Sequence, residues 1–241
     1  MKIGIMQPYF FPYIGYWQLM KLTDRYIIYD DVNFIKGGWI NRNRILINGQ
    51  GAYINVPMRG ASPNKKINEV EADISKIFLE KTGRKLKGAY AKAPYFQEVF
   101  PWVMETMDFP AEKLSQYLTH LIRKTAERLK INTEFIVSSD YSYDVQLHGE
   151  DRVLALCGRF QGDVYYNAIG GKKLYSIDHF RENNLKLCFV ESAEITYRQF
   201  GNPFVPNLSI IDVLMFNGWE KTKEYLDMVR IYQEERNSDG T

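Results

Sequence analysis

The first 30 residues of the chain constrain its fold more than any other stretch. Lys2–Gln7 has the pattern of a short buried strand, and Pro12 suits the first turn of a helix that extends to about Leu22. Arg25–Tyr29 is rich in β-branched and aromatic residues and predicts a second strand. A strand, a turn, a helix and a strand within about 30 residues begin a βαβ unit, whose strands lie parallel in one sheet.

The same alternation of strand and helix continues along the chain. Strands are predicted at Glu134–Val137, Asp163–Tyr166 and Leu185–Val190, with helical segments between them. Residues from about 74 to 130 show the three- and four-residue spacing of helices, which predicts a mainly helical insertion. We therefore expect a single α/β domain over residues 1–241, with a Rossmann-like, mainly parallel sheet, flanking helices and this insertion.

Two local signals complete the predicted fold. Asn48-Gly49 favours a type I′ turn and lies between two apolar segments, so Asn43–Ile47 and Ala52–Pro57 are expected to form a β-hairpin. Near the end of the chain, Gly218 is a helix stop signal. A separate closing helix is therefore predicted over Trp219–Gln233.

The charges of the chain are nearly balanced but unevenly distributed. There are 31 basic and 29 acidic residues, yet residues 35–92 contain 12 Lys and Arg against 4 Asp and Glu, a local charge of +8. The rest of the chain contains 19 Lys and Arg against 25 Asp and Glu, a charge of −6. The split indicates a basic face for an anion such as a phosphate, a nucleotide, a nucleic acid or a carboxylate, the alternative being an ordinary solvated helical face. Because the whole chain is not a polycation, DNA is not expected as a partner.

The cysteines and histidines indicate a reduced protein without a metal centre. Cys157 and Cys188 lie in apolar contexts, as buried cysteines of cytosolic proteins do. Neither the cysteines nor the three histidines have metal-ligand spacing, so no metal site is expected. No apolar run reaches the roughly 18 residues that a membrane span needs. We expect a cytoplasmic protein with no membrane span.

The stretch Ile3–Trp17, IGIMQPYFFPYIGYW, is the first candidate site. Ligands of parallel α/β proteins collect at the carboxyl ends of strands, and a helix N-terminus attracts anions. Gly15 would let a ligand approach the backbone between Tyr13 and Tyr16, and Gln7 belongs to the same candidate binding site. The alternative is a set of aromatic side chains that packs the helix against the sheet.

This turn is loosely similar to the strand-to-helix turn of the nucleotidylyltransferase superfamily, where an H-x-G-H motif begins the helix. Tyr13-Ile14-Gly15-Tyr16 occupies the comparable place, and both histidines are absent. The resemblance therefore implies a related fold, and it does not imply phosphoryl transfer assisted by histidine.

The segment Tyr29–Ile45, YDDVNFIKGGWINRNRI, is the densest polar cluster of the chain. Asp30 and Asp31 end the second predicted strand and are candidate catalytic carboxylates. Cations, amides and one ring follow as candidate substrate-binding residues: Lys36, Trp39, Asn41, Arg42 and Arg44. On an extended chain both arginines share one face, where planar guanidinium groups suit phosphate oxygens. The alternative is a surface loop with an ion pair from one aspartate to Arg42.

Three shorter segments add candidates. Lys65 projects from a predicted turn and would contact phosphate, unless the turn is merely solvated. Gly170, Gly171 and Lys172 follow a predicted strand and suit an anion, although two glycines also make an ordinary tight turn. His148 precedes a predicted helix and is a candidate general base, the alternative being a solvated loop histidine.

Five ordered blocks together resemble the WbqC-like protein family: IGIMQPYFFPYIGYW, DRYIIYDDVNFIKGGWINRNRI, SPNKKINEV, YYNAIGGKKLY and FVPNLSIIDVLMFNG. The family is associated with bacterial polysaccharide and O-antigen (lipopolysaccharide) gene clusters. The resemblance implies a transferase that modifies a nucleotide-linked amino sugar by attaching an amino-acid or acyl group to the sugar amine.

The candidate residues fit such a substrate by chemical type. The three cations of the Tyr29–Ile45 segment suit the diphosphate, Trp39 or Tyr16 suits the base, and either aspartate suits the sugar hydroxyls or amine. A carboxylate or His148 would remove the proton of the nucleophilic amine. Backbone N–H groups at the helix start near Tyr13 would stabilise the oxyanion.

Two other classes of function stay open. One is a nucleotidylyltransferase-like enzyme that activates a small acid with ATP and Mg²⁺ and releases pyrophosphate. The other is a non-catalytic protein that binds RNA or a nucleotide. For the transferase, the expected partners are a nucleotide-linked sugar or other anionic small molecule and an aminoacyl or acyl donor, and no cofactor is assigned.

Overall fold

The computed structural model describes residues 1–142, 146–201 and 203–233 of the chain. Its strands are β1 (Lys2–Met6), β2 (Arg25–Ile28), β3 (Arg42–Ile47), β4 (Gln50–Asn55), β5 (Met58–Arg59), β6 (Glu71–Ala72), β7 (Glu134–Val137), β8 (Val164–Ala168), β9 (Lys186–Ser192) and β10 (Val229–Tyr232). Its α-helices are α1 (Ile14–Lys21), α2 (Lys76–Tyr90), α3 (Phe96–Met107), α4 (Leu114–Arg128), α5 (Gly149–Arg159), α6 (Ile177–Glu182) and α7 (Ile210–Tyr225). Segments of 3-10 helix cover Ile67–Glu69, Ser138–Asp140 and Ile169–Leu174.

Six strands form the central sheet, in the order β10-β9-β8-β1-β2-β7. Five of them run parallel, and β10 pairs antiparallel with β9 at one edge. Numbered by their order in the chain, these strands read 3-2-1-4-5-6 from β7 to β10, which is the doubly wound order of a Rossmann fold. The predicted α/β fold with a mainly parallel sheet is confirmed.

Alternate side chains of the sheet enter two separate cores, because neighbouring residues of a strand point to opposite faces. On one face, Ile3, Ile5 and Ile27 belong to a core that includes apolar side chains of α5 and α6. On the other face, Tyr26 and Ile28 pack in a core with α1 and α7. Helices therefore flank the sheet on both sides, as a mainly parallel sheet requires.

The helical insertion predicted at about residues 74–130 corresponds to α2, α3 and α4. Ser75 caps α2, since its side-chain oxygen accepts a hydrogen bond from the Phe78 backbone N–H at 3.3 Å. In α4, Leu114, Leu118 and Leu121 recur at helical spacing and are buried. The polar side of α4 lies across a cleft from the carboxyl ends of β2 and β7.

The predicted hairpin is confirmed. β3 and β4 pair antiparallel across Asn48 and Gly49, whose φ angles of 51° and 75° fit a type I′ turn.

The last described segment differs from the prediction. The backbone kinks at Gly218, where φ is 68°, and the following helix ends at Tyr225. Val229–Tyr232 is not helical but forms β10. β-Branched Val229 and Ile231 suit a strand, and β9 offers backbone partners along its edge, so tertiary pairing overrides the helical spacing of the sequence.

Candidate functional site

The parallel strands bring several predicted site segments to one edge of the sheet. At their carboxyl ends β1 leads to Gln7, β2 leads to Asp30, β7 leads to Ser138 and β8 leads to Gly170. The strand order reverses between β1 and β8, which is where open α/β sheets place their ligands. The functional site is therefore expected at this edge of the sheet.

Asp30 is an almost fully buried carboxylate at this edge, with 1% of its surface exposed. Its Oδ1 accepts hydrogen bonds from the Ser139 backbone N–H and from Ser138 Oγ, both at 3.1 Å, and its Oδ2 accepts one from Ser139 Oγ at 2.9 Å. Burial raises the pKa of Asp30 above its ordinary value, and these hydrogen bonds oppose the shift. A carboxylate of this kind beside a cleft has the properties of an acid–base group.

Asp31 is held in a buried ion pair. Its Oδ2 lies 2.6 Å from Nη2 of Arg152, and Ser138 Oγ donates a hydrogen bond to its Oδ1 at 2.5 Å. The Arg152 guanidinium also lies over the ring of Tyr29, with Cζ 4.9 Å from the ring centroid. Asp31 thus joins the end of β2 to α5, whereas Asp30 lines the adjoining cleft.

A cleft of about 970 Å³ separates the carboxyl ends of β2 and β7 from the polar side of α4. We call it the Asp30 cleft. The side chains that α4 and the residue before it contribute are polar or charged, and they include Lys113, Thr119, His120, Arg123, Lys124 and the acidic Glu127. Lys124 forms an ion pair with Glu127 at 3.2 Å, whereas Lys113 and Arg123 pair with no carboxylate in the described ranges. The cleft therefore places a buried carboxylate opposite cations that are available to an anionic ligand.

His120 lies where the Asp30 cleft adjoins a second cleft, of about 660 Å³, between α3, α4 and α7. Its ring stacks on Phe109, with centroids 3.8 Å and planes 3° apart, and it hydrogen-bonds to the Thr106 backbone. Burial and the nearby charge of Lys124 lower the pKa of His120 below its ordinary value of 6.5. The imidazole is therefore neutral near pH 7 and suited to accept a proton.

The histidine selected from the sequence occupies a different place. His148 is exposed and precedes α5, and its side chain does not cap that helix. Sequence reasoning passed over His120, although its position three residues before Arg123, on the polar side of an amphipathic helix, was a usable signal. The missing information was which surface that side of α4 faces.

The turn after β1 is filled by its own aromatic side chains. The ring of Tyr13 lies against Gly15, where an added Cβ would come within 2.5 Å of that ring and of Ser192 Oγ. Tyr16 is buried, and its hydroxyl donates a hydrogen bond to the Gln7 carbonyl at 3.1 Å. Gly15 thus lets Tyr13 close over the first turn of α1, and a ligand would displace this ring to reach the backbone there.

The first part of the basic segment lines a cleft other than the one beside Asp30. This cleft, of about 440 Å³, includes Lys36, Asn41 and Arg42. Arg42 donates a hydrogen bond to the Gly38 carbonyl at 3.0 Å, and its Cζ lies 4.4 Å from the centroid of the Tyr53 ring. The predicted binding residues therefore divide between two sites, with Asp30 in one and these cations in the other.

The strand β3 shows the alternation that the sequence suggests. Buried Asn43 points inward and donates hydrogen bonds to the Phe10 carbonyl at 3.2 Å and to the next carbonyl at 2.8 Å. Arg44 lies on the opposite face, the same as Arg42, with its Cζ 5.8 Å from the centroid of the Trp39 ring. Lys65 lies on the neighbouring loop, where its backbone carbonyl accepts a hydrogen bond from the Phe34 N–H at 2.8 Å.

The two-glycine segment begins the 3-10 helix that follows β8. At Gly171 an added Cβ would come within 2.3 Å of Nδ2 of Asn167, so a larger residue there would force the Asn167 side chain to move. The space at Gly170 is open, and Lys172 is exposed. The segment thus packs tightly against the end of β8 at the point where the strand order reverses.

Within residues 1–142, 146–201 and 203–233, no three His, Cys, Asp or Glu side chains are grouped closely enough to hold a metal ion. Cys157 and Cys188 are both buried thiols. None of the helices in those ranges is both long and apolar enough to cross a membrane.

The chain is similar to a known protein over nearly its whole length. It is 26% identical over 232 residues to the uncharacterized protein Rv1507c of Mycobacterium tuberculosis, an alignment that covers 95% of this chain and 99% of that protein. No solved structure matches significantly. The model of the WbqC-like protein family matches residues 7–224, a span that contains every candidate residue from Gln7 to Lys172. The chain therefore belongs to the WbqC-like protein family.

Proposed function

We propose that the protein is a transferase that attaches an amino-acid or acyl group to the amine of a nucleotide-linked sugar. In bacteria such a product would enter the biosynthesis of surface polysaccharide such as O-antigen. The observation that carries the proposal is the arrangement of the Asp30 cleft, where a buried carboxylate with a raised pKa faces His120 and the cations of α4. The association of the family with polysaccharide gene clusters supports the choice of substrate.

The Asp30 cleft suits a sugar nucleotide in size, and it contains two cations, Lys113 and Arg123, that could meet the diphosphate. Its volume of about 970 Å³ falls within the range of small-molecule and cofactor sites. Lys113 and Arg123 would bind the diphosphate, since a planar guanidinium matches phosphate oxygens in two places. Asp30 would bind the sugar amine, which carries a positive charge until it reacts.

The proposed reaction forms one bond and breaks another. The sugar nitrogen attacks the acyl carbon, a C–N bond forms, and the bond between that carbon and its leaving group breaks. Two protons must leave the charged nitrogen, one before it attacks and one as the amide forms. Asp30 would accept the first, because a raised pKa makes a carboxylate a stronger base. His120 provides a second acceptor that is neutral near pH 7. The leaving group departs with the electron pair of the broken bond.

Thermal-shift and calorimetric titrations with amino-sugar nucleotides test the proposal, since a ligand that binds the native state raises the melting temperature. The probes are uridine, thymidine and guanosine diphosphates linked to a sugar with a free amine, and their N-acetylated forms. We expect Asp30→Asn to weaken binding of the free-amine form and to spare the N-acetylated form. A flat response to all these compounds would exclude the proposal.

The role of a cation of the Asp30 cleft can be tested with a charge variant and a matched control. Arg123→Ala should weaken the binding of every sugar nucleotide by about tenfold, because one charge-assisted contact to phosphate is lost. Arg84→Ala removes an exposed arginine of α2 that pairs with Glu80 at 4.0 Å, and it should leave binding unchanged. Equal effects of the two variants would indicate only a general loss of positive charge.

The sheet order favours one second candidate, an enzyme that activates a small acid with ATP and Mg²⁺. The order 3-2-1-4-5-6 is the one in which nucleotides bind at the reversal point between β1 and β8. Such an enzyme releases pyrophosphate from ATP when the acid is present. A transferase that uses a preactivated donor releases none, so a pyrophosphate assay separates the two candidates.

A further inference from the structure

The β3–β4 hairpin presents rings and cations that the proposed transfer reaction does not use. We propose that this face binds single-stranded RNA. We call the surface the hairpin platform, and it consists of Trp39, Arg42, Arg44 and Tyr53. This inference does not depend on the proposed transferase activity, because the Asp30 cleft and the platform are lined by different residues.

The two rings of the platform are exposed and adjacent. Trp39 and Tyr53 are each 42% exposed, their centroids are 6.2 Å apart, and their planes differ by 35°. Nucleic-acid bases stack on exposed aromatic rings with little regard to sequence. Two neighbouring rings on one hairpin therefore suit two successive unpaired bases.

The two arginines place positive charge beside these rings. Arg42 lies over Tyr53 with Cζ 4.4 Å from the centroid, and Arg44 lies 5.8 Å from the centroid of Trp39. Arg42 donates to the Gly38 carbonyl, and Arg44 donates to a backbone carbonyl as well, so neither charge is neutralised by a carboxylate among the described residues. The phosphates that link stacked bases would meet uncompensated guanidinium groups.

The surroundings of the platform are basic over a wide area. Residues 32–68 contain six Lys and Arg and no Asp or Glu. The helix α2, which packs beside the hairpin, carries five Lys and Arg against one Glu. Its Lys85 donates a hydrogen bond to the Tyr53 carbonyl at 2.5 Å, which fixes one of these charges at the edge of the platform. This charge is complementary to a phosphate chain.

Neutral hydrogen-bonding groups favour RNA over other polyanions. Asn41 and Asn55 line both clefts that flank the hairpin, of about 440 and 620 Å³, and Ser62 lines the smaller one. Amide and hydroxyl groups can form hydrogen bonds with the ribose 2′-hydroxyl, which DNA lacks. An acidic polysaccharide or an anionic membrane has no planar bases for the rings. The combination of rings, cations and amides therefore fits single-stranded RNA.

Fluorescence anisotropy with the full chain and a labelled oligouridylate of about 12 nucleotides tests the inference. Contact with three or four phosphates predicts a slope of about −2 to −3 for log K against log salt concentration. Trp39→Ala and Tyr53→Ala should each weaken binding by about tenfold, and the phenylalanine variants at both positions should restore most of it. Arg42→Ala should reduce the salt slope.

Matched controls come from outside the platform. Tyr232→Ala removes a ring that is also 42% exposed, and Arg181→Ala removes an exposed arginine, and both should leave RNA binding unchanged. The inference is overturned by an absence of binding at about 50 mM salt, where electrostatic binding is strong. It is also overturned by equal affinity for duplex RNA or for DNA of the same sequence, by tighter binding of heparin, or by full affinity in the two ring-to-alanine variants.

Discussion

Nη2 of Arg152 lies 2.6 Å from Oδ2 of Asp31, and the two side chains are 9% and 10% exposed. This buried ion pair joins α5 to the end of β2. The single hydroxyl hydrogen of Ser138 is shared between Oδ1 of Asp31, at 2.5 Å, and Oδ1 of Asp30, at 3.1 Å, so Ser138 links the ion pair to the candidate acid–base group. The geometry of the Asp30 cleft therefore depends on a contact outside the cleft.

Replacing Arg152 with Met should lower the free energy of unfolding by about 3 kcal/mol, because Asp31 then stays buried without its cation. Urea denaturation followed by circular dichroism measures this loss. Arg181→Met breaks an exposed pair with Asp178, at 2.6 Å, and should cost less than about 1 kcal/mol. Equal losses in the two variants would contradict the distinction between the buried and the exposed pair.

The pKa of His120 should lie below 6.5 in an NMR titration of its ring protons, because burial and Lys124 disfavour the charged form. Phe109→Ala exposes the ring and should raise this pKa toward 6.5. Below pH 6.5 the unfolded chain binds the proton more readily, so the contribution of His120 to stability is lost as pH falls toward its folded-state pKa. His120→Gln identifies the resonance, and a pKa at or above 6.5 would refute the assignment.

Gly218→Ala should lower the free energy of unfolding by about 2 kcal/mol. Its φ angle is 68°, and an added Cβ would come within 2.5 Å of the Tyr95 ring. Gly158→Ala is the matched control, because no atom lies within 4 Å of the added Cβ and the residue is inside α5. It should stabilise the protein by roughly 0.5–1 kcal/mol. Thermal unfolding measures both effects, and a shift of the same sign in both would disprove the argument.

Tyr90→Phe should cost about 2 kcal/mol of stability, because its hydroxyl makes two buried hydrogen bonds. It donates to Oδ1 of fully buried Asp212 at 2.7 Å and accepts from the Leu46 backbone N–H at 2.9 Å. Tyr232→Phe removes an exposed hydroxyl and should change stability by less than about 0.5 kcal/mol. Urea denaturation compares the two variants. A neutral result for Tyr90→Phe would mean that water replaces the lost hydroxyl.

Local signals were sufficient to predict most of the fold. The strand–helix–strand pattern of the first segment and the Asn48-Gly49 turn act over a few residues, and the structure contains both. The strand Val229–Tyr232 was missed because its conformation is set by pairing with β9, whose residues lie far away in the sequence. Helical spacing in a short segment does not report such a partner.

Only part of the candidate site could be predicted from the sequence. Asp30 is a candidate from the sequence because it follows a predicted strand, whereas His120 lies 90 residues later and lines the same cleft only because of tertiary contacts. The N–H of Asn68 donates to the Asp30 carbonyl at 3.0 Å, and the N–H of Leu114 donates to the Val70 carbonyl at 2.8 Å. These two backbone hydrogen bonds help to hold α4 near the carboxyl end of β2. No pattern of residues in the sequence predicts them.

The central position of β1 has a consequence during synthesis on the ribosome. One side of β1 pairs with β2, which emerges soon afterward, but the other side waits for β8, which begins at Val164. At typical translation rates that interval lasts about 10 to 30 s. Throughout it, a nascent chain has an open strand edge in what will become the middle of its sheet, where strands of other chains can add. Chaperones that shield such edges would therefore matter most before β8 has been synthesised.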